Sequence, residues 1–167
     1  QDDILGSIFF QAPDEGAGTD AILVSAGIEA ISEGDFSASS NATSLRFLTG
    51  SSAAASEKMR IDSAGRVLIG TPSTTGAMFT ITPTLQIEGT DFNTSSMSIF
   101  KNSNDGEGGF LFMGKSKGTS VGSSTSVATG NDIGTIAFVG ADGTDRQNVA
   151  ASIVGKIASG FSFSIIF

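Results

Sequence analysis

The stretch EKMRIDSAGRVLIG, residues 57–70, decides how the rest of the chain is read. Met59-Arg60-Ile61-Asp62 alternates apolar and polar side chains, the period of a strand with two unlike faces. Ser63-Ala64-Gly65 follows, and Gly65 tolerates the positive φ that a tight bend demands. Val67-Leu68-Ile69 then resumes an extended run. The segment is predicted to be a hairpin. Alternation assigns Met59, Ile61, Val67 and Ile69 to an inward face. Arg60, Asp62 and Arg66 point outward or into pairs between chains. Leu68 fits neither face cleanly, since burying it calls for a local twist or bulge.

The same period of two recurs along the chain. SLRFLT (44–49), MFTIT (78–82), LQIE (85–88), MSIF (97–100), FLFM (110–113), IGTIAFV (133–139) and FSFSIIF (161–167) all read as short strands. Asn104-Asp105-Gly106 and Asp142-Gly143 are hairpin-type turn signals. Pro13, Pro72 and Pro83 stand outside these runs, where a missing N–H does least harm. Residues 21–31 contain Gly27 and the β-branched Ile22, Val24 and Ile28, so strand is preferred there over helix. SSAAAS (51–56) is too short for an isolated helix and reads as a loop leading into the hairpin. The predicted class is all-β, built of short strands and hairpins, with little or no helix.

The composition limits what such a chain can do. Of 167 residues, 39% are apolar and 16% charged, with 22 glycines and no histidine, cysteine, tryptophan or tyrosine. Thin, turn-rich structure is expected, without a thick core of large side chains. The net charge of −8 disfavours nucleic acid and anionic membrane surfaces and favours solubility, with cation binding by carboxylates as the alternative. Disulfides, thiolate nucleophiles and histidine bases are excluded outright. No apolar run approaches the length of a membrane span. The chain begins Gln1-Asp2-Asp3 rather than with methionine, as a processed product or a piece of a longer one would.

An internal repeat joins the two ends. DILGSIFF places Gly6, Ile8 and Phe10 in a G-x-I-x-F pattern, and NDIGTIAF places Gly134, Ile136 and Phe138 in the same one. Gly18-Thr19-Asp20 and Gly143-Thr144-Asp145 come next. Six residues on from each Asp stand Ala26-x-Ile28 and Ala151-x-Ile153. Three modules are expected: 1–72, ending in the hairpin; 73–130, an intervening hairpin module; and 131–167, a truncated copy of the first. Ends that cut through a repeat suit a window on a long repetitive rod, and the apolar strand 161–167 calls for a cover.

EKMRIDSAGRVLIGT resembles a hairpin segment that recurs in bacteriophage tail-fibre proteins, especially those of cyanobacterial viruses. LQIEGTDFNTSSMSIFKNSNDGEGGFLFMGKSKGTSVGS, followed by GNDIGTIAFVGADGTDRQNVAASIVGKI, is similar to the adjoining fibre module. Together these stretches cover about half of the chain. The resemblance implies an elongated homotrimer of β-prism or triple-β-helix type, located in the virion tail outside the cell. It implies partners among sister copies and other tail proteins, and a part in host-cell attachment, with a host-surface glycan as a further partner. Some members of the family end in a self-cleaving chaperone domain. Nothing here matches that domain or a virion-anchoring head, so the expected part is the shaft.

The residues suit such a shaft on their own terms. Ordering each residue costs about 1–2 kcal/mol of backbone entropy, and burial of apolar area returns roughly 25 cal/mol per Å². A chain with so few large side chains needs sister chains around a common axis to bury its Ile, Leu, Val and Phe.

Candidate chemistry is weak beside this. Asp142-Gly143-Thr144-Asp145 and Asn104-Asp105-Gly106-Glu107 offer oxygens to Ca²⁺ but lack the full calcium-loop pattern, so solvated turns are expected. Gly114-Lys115-Ser116-Lys117-Gly118, near Gly108-Gly109, fails the phosphate-loop spacing and is read as an outer loop. The carboxylate neighbours Glu88 with Asp91, and Asp14 with Glu15, lack the aromatic platform a glycan-cleaving site would use. Phe92, Phe100, Phe110 and Phe112 are expected in a core rather than stacked on a ligand. No residue is assigned a catalytic, cofactor-binding or metal-binding role, and no cofactor or enzyme activity is expected. Two alternatives to the shaft stand: a non-viral extracellular filament joined by strand complementation, and a glycan-binding adhesion module using loops 116–131 or 14–19.

Overall fold

The computed structural model describes residues 2–12, 16, 18–74, 76–78 and 81–158. The fold is all-β, with no helix among these residues and two sheets. The strands are β1 (Ile4–Phe10), β2 (Ala26–Ser32), β3 (Thr43–Thr49), β4 (Ser56–Ile61), β5 (Val67–Ile69), β6 (Leu85–Ile87), β7 (Asp132–Gly140) and β8 (Asn148–Lys156). The chain divides into two compact units, one of residues 1–77 with 81–97, the other of residues 78–80 with 98–167.

The first unit is a six-stranded sheet in chain order. From β1 to β5 every neighbour is antiparallel, and β6 joins β5 in parallel. The hairpin at 57–70 is present as β4 and β5. Its loop is closed from both sides by Asp62: the Asp62 N–H donates to the Arg66 carbonyl at 3.0 Å, and Gly65 N–H donates to the Asp62 carbonyl at 2.9 Å. The Asp62 carboxylate accepts the N–H of Ala64 at 3.0 Å and of Arg66 at 2.9 Å. Gly65 sits at φ 75°, as expected of the last residue of a three-residue hairpin loop.

The parallel pair requires a crossover, residues 70–84, containing Pro72 and Pro83. It departs through Gly70 at φ 78°, where a Cβ would lie 2.1 Å from the Glu88 carbonyl oxygen. Glycine is needed there for both conformation and space. The crossover is fastened at its two ends, by Gly70 N–H to the Lys58 carbonyl and Val67 N–H to the Thr84 carbonyl.

The second unit is built on the β7–β8 hairpin, whose tip carries Asp142 and Gly143 at φ 95°. Met78 makes an isolated parallel bridge to Arg146.

Two expectations need correction. MSIF (97–100) and FLFM (110–113) form no strand, although Ile99 and Gly109 lie close together across the 104–106 bend. Alternation without a hydrogen-bonded neighbour does not make a ladder. Of residues 21–31 only Ala26 onward is strand, because Asp20 and its neighbours turn, with Leu23 N–H bonded to the Asp20 carbonyl. Phe79, Thr80 and FSFSIIF (161–167) lie outside the described residues.

Candidate functional site

Register sorts the side chains of the six-stranded sheet into two unlike faces. Directly paired residues share a face. One row runs Ile8, Ile28, Phe47, Met59, Ile69, Ile87 across all six strands. The next runs Gly6, Ala30, Leu45, Ile61, Val67, Leu85. A third, shorter row holds Phe10, Ala26, Thr49 and Ser56. These rows contain no charged residue, and Ile8, Phe10, Leu45, Ile61 and Leu85 are exposed.

The opposite face carries the sheet's paired charges, along with Phe9 and Leu48, and Phe9 is exposed. The central row of this face is Ser7, Glu29, Arg46, Arg60, Leu68, Gln86. Glu29 is buried and accepts Arg46 Nε at 2.7 Å and its terminal nitrogen at 2.5 Å. Arg46 leans toward Glu57 at 3.8 Å, and Glu57 takes a two-pronged contact from Arg60, both bonds 2.6 Å. The hydrogen bond to Glu57, chiefly, holds the Arg60 guanidinium above its ordinary pKa. Arg66 Nε donates to Asp62 at 2.7 Å. Burial pushes the Asp62 carboxyl up, but the N–H and guanidinium of Arg66 outweigh it and hold Asp62 below the usual carboxylate range. Glu33 is likewise raised by burial and lowered further by the hydroxyls of Ser44 and Ser63 and the Ser63 N–H, ending below its usual range. Among the described residues every buried side-chain polar atom has a partner.

Leu68 is the most buried large side chain, 1% exposed, and it lies on this face. No register shift separates β4 from β5, so no bulge brings it there. Its cover is the crossover: Pro72, Ser73 and Thr74 line with Leu68, Arg60, Asp62 and Arg66 a cleft of about 340 Å³. Within the chain the crossover thus lies over the face opposite Met59, Ile61, Val67 and Ile69. They share a face, as alternation requires, but Ile61 is exposed while Asp62 is buried.

The second hairpin repeats the first in geometry as well as in sequence. Ile8 pairs Ile28, Phe10 pairs Ala26 and Gly6 pairs Ala30; Ile136 pairs Ile153, Phe138 pairs Ala151 and Gly134 pairs Gly155. Both hairpins carry a bulge at the same place, between Ile4 and Gly6 and between Asp132 and Gly134. Beyond the bulge the apolar pair Ile4 and Ile31 is replaced by Asp132 and Lys156, which form an ion pair of 2.5 Å. All of β7 and β8 is largely open, with Ile136, Phe138, Val149 and Ile153 exposed. In the segment before it Phe110 stacks on Phe112 at 5.4 Å, yet Phe112 remains 85% exposed, so these rings do not form the expected core within the chain.

Several of the carboxylates weighed for cation binding or for glycan cleavage serve their own turns. Asp142 accepts the N–H groups of Thr144 and Asp145 and the amide of Asn148, and these bonds hold it below the usual carboxylate range. Asp105 takes both its close contacts from Lys101 at 2.8 Å. Asp91 accepts the N–H groups of Asn93 and Thr94. Asp14 and Glu15 lie outside the described residues. Among the described residues no three His, Cys, Asp or Glu side chains gather as a metal would need. Lys115, Ser116 and their neighbours face Ser123 to Val127 across an open groove, where Lys117 N–H bonds the Thr125 carbonyl. The feature that sets this chain apart is therefore a surface, the uncharged face of the large sheet.

Compared with protein-family models and with curated proteins, the chain matches none.

Proposed function

We propose that this chain is a structural segment of a homotrimeric viral tail fibre, a rigid shaft that helps carry the virion to its host cell. The observation behind this reading is the uncovered sheet face, two six-residue rows without a charge, opposite a face whose charged side chains pair with one another. An antiparallel sheet can leave a polar face in water, but a contiguous exposed apolar face marks an interaction surface. Three copies around an axis supply that company from a single sequence, with closed symmetry. Residues 88–131 add a second reason: they form no strand and leave Phe92, Phe100, Phe110, Phe112 and Val121 exposed, side chains that sister strands would cover. The virion setting rests on the tail-fibre resemblance of residues 57–71 and of the stretches 85–123 and 130–157.

Light scattering combined with electron microscopy tests both parts. A mass of three chains and slender particles, together with labelling of intact virions along the tail, would support the reading. A stable single chain with full β signal would overturn it. Concentration-dependent end-to-end polymers would favour the filament alternative, which the outer edge of β8 also suits, since β7 is its one ladder partner among the described residues.

A further inference from the structure

We infer that the chain binds its sister copies twice, through the same residues of the two repeated hairpins, so that assembly is bivalent. This rests on the self-association proposed above and goes further by naming the contact. The six residues on the apolar side of the first hairpin are Gly6, Ile8, Phe10, Ala26, Ile28 and Ala30; their counterparts are Gly134, Ile136, Phe138, Ala151, Ile153 and Gly155. Five of these six positions hold the same residue in both hairpins. On the other side the counterparts are Ser7 and Thr135, Phe9 and Ala137, Gly27 and Ser152, Glu29 and Val154, and no residue is shared. Shared backbone register alone would leave both sides free to differ. What is repeated is one face, and a face repeated while its reverse changes is one that meets the same partner.

That partner is a second copy of this chain. The face carries no charge with which to select a charged ligand, and its methyl and phenyl groups match another face of the same kind. Area points the same way. Six strands about 4.8 Å apart and three rows of side chains span roughly 25 by 14 Å, about 350 Å² in projection. A stable contact removes about 800 Å² from each partner. One sheet face alone is small for that purpose, and a second contact of the same kind on the same chain makes up the difference by raising the effective concentration of the first.

The full chain has no cysteine, so single cysteines report position cleanly. Ile28→Cys, Ile153→Cys and, as a control from the other side of the second hairpin, Ser152→Cys would each be treated with a short thiol-to-thiol crosslinker. Both isoleucine positions should link to a sister copy, and Ser152→Cys should not. Ile153→Asp should raise the concentration at half-assembly roughly a hundredfold while β content is kept. Linking at Ile28→Cys alone would overturn bivalency and leave the trimer intact. Linking equally at Ser152→Cys would overturn the choice of face. No linking at either isoleucine, with a single-chain mass, would sink the trimer as well.

Discussion

The two hairpins of the repeat share register and bulge, yet β1–β2 lies in a six-stranded sheet and, among the described residues, β7–β8 stands as a pair. Gly27, Glu29 and Ile31 are buried in the first, while their counterparts Ser152, Val154 and Lys156 are exposed in the second. The difference comes from the strands added to each hairpin. β3 to β6 extend the first, and Arg46 lies against Glu29 on one side of it. A hairpin alone is marginal in water. The same local sequence thus gives the same pairing in both places, and burial comes from the neighbours.

That contrast can be broken most severely at the ion pairs. Arg46→Ala leaves Glu29 buried without its cation and should cost the first unit about 4 kcal/mol, read from urea unfolding. Leu68→Ala opens a cavity beneath the crossover and should cost about 3 kcal/mol, with amide exchange quickening in β4 to β6 and unchanged in β7–β8. Gly70→Ala should cost about 2 kcal/mol and Gly65→Ala about 1 kcal/mol. Both have positive φ, but a Cβ at Gly65 meets nothing within 4 Å, and thermal melts of the two variants read the difference.

Acid should sharpen the contrast. Glu33 and Asp62 titrate lower when folded than their ordinary values of 4.5 and 3.8, so the folded first unit holds fewer protons than the unfolded chain in that range. Their contribution is complete above the ordinary values and disappears as the pH falls through the lowered ones. The urea midpoint of the first unit should therefore drop on acidification from about pH 5 to about pH 3, and Glu33→Gln with Asp62→Asn should flatten that drop. The smallest effect is expected at the outer end of the second hairpin. Lys156→Ala breaks an exposed pair with Asp132 and should change stability by less than about 0.5 kcal/mol in the same urea series.

Much of this fold is legible in the residues, and the gaps have physical reasons. Alternation locates strands within 44–49, 59–62, 85–88 and 133–139, and the turn at Gly65 follows from its lack of a side chain. Pairing of Ile8 with Ile28 and of Ile136 with Ile153 is implicit in the repeat. Alternation does not say which face the chain itself closes. That depends on where residues 70–84 cross, a non-local matter that puts Leu68 inside and leaves Ile61 out. The same limit explains 97–100 and 110–113, where the period is present and no neighbouring strand completes it. The candidate surface is half visible in the same way: alternation names its residues, while its openness requires the ladder.

The parallel seam between β5 and β6 has a mechanical consequence. Tension applied along the chain enters an antiparallel hairpin such as β7–β8 at one end and opens its bonds in succession. The start of β5 and the end of β6 lie at opposite ends of their pair, so the same pull loads those bonds together, in shear. Stretching should spend itself first on β7–β8, and the short seam would act as the stop beyond which the larger sheet holds.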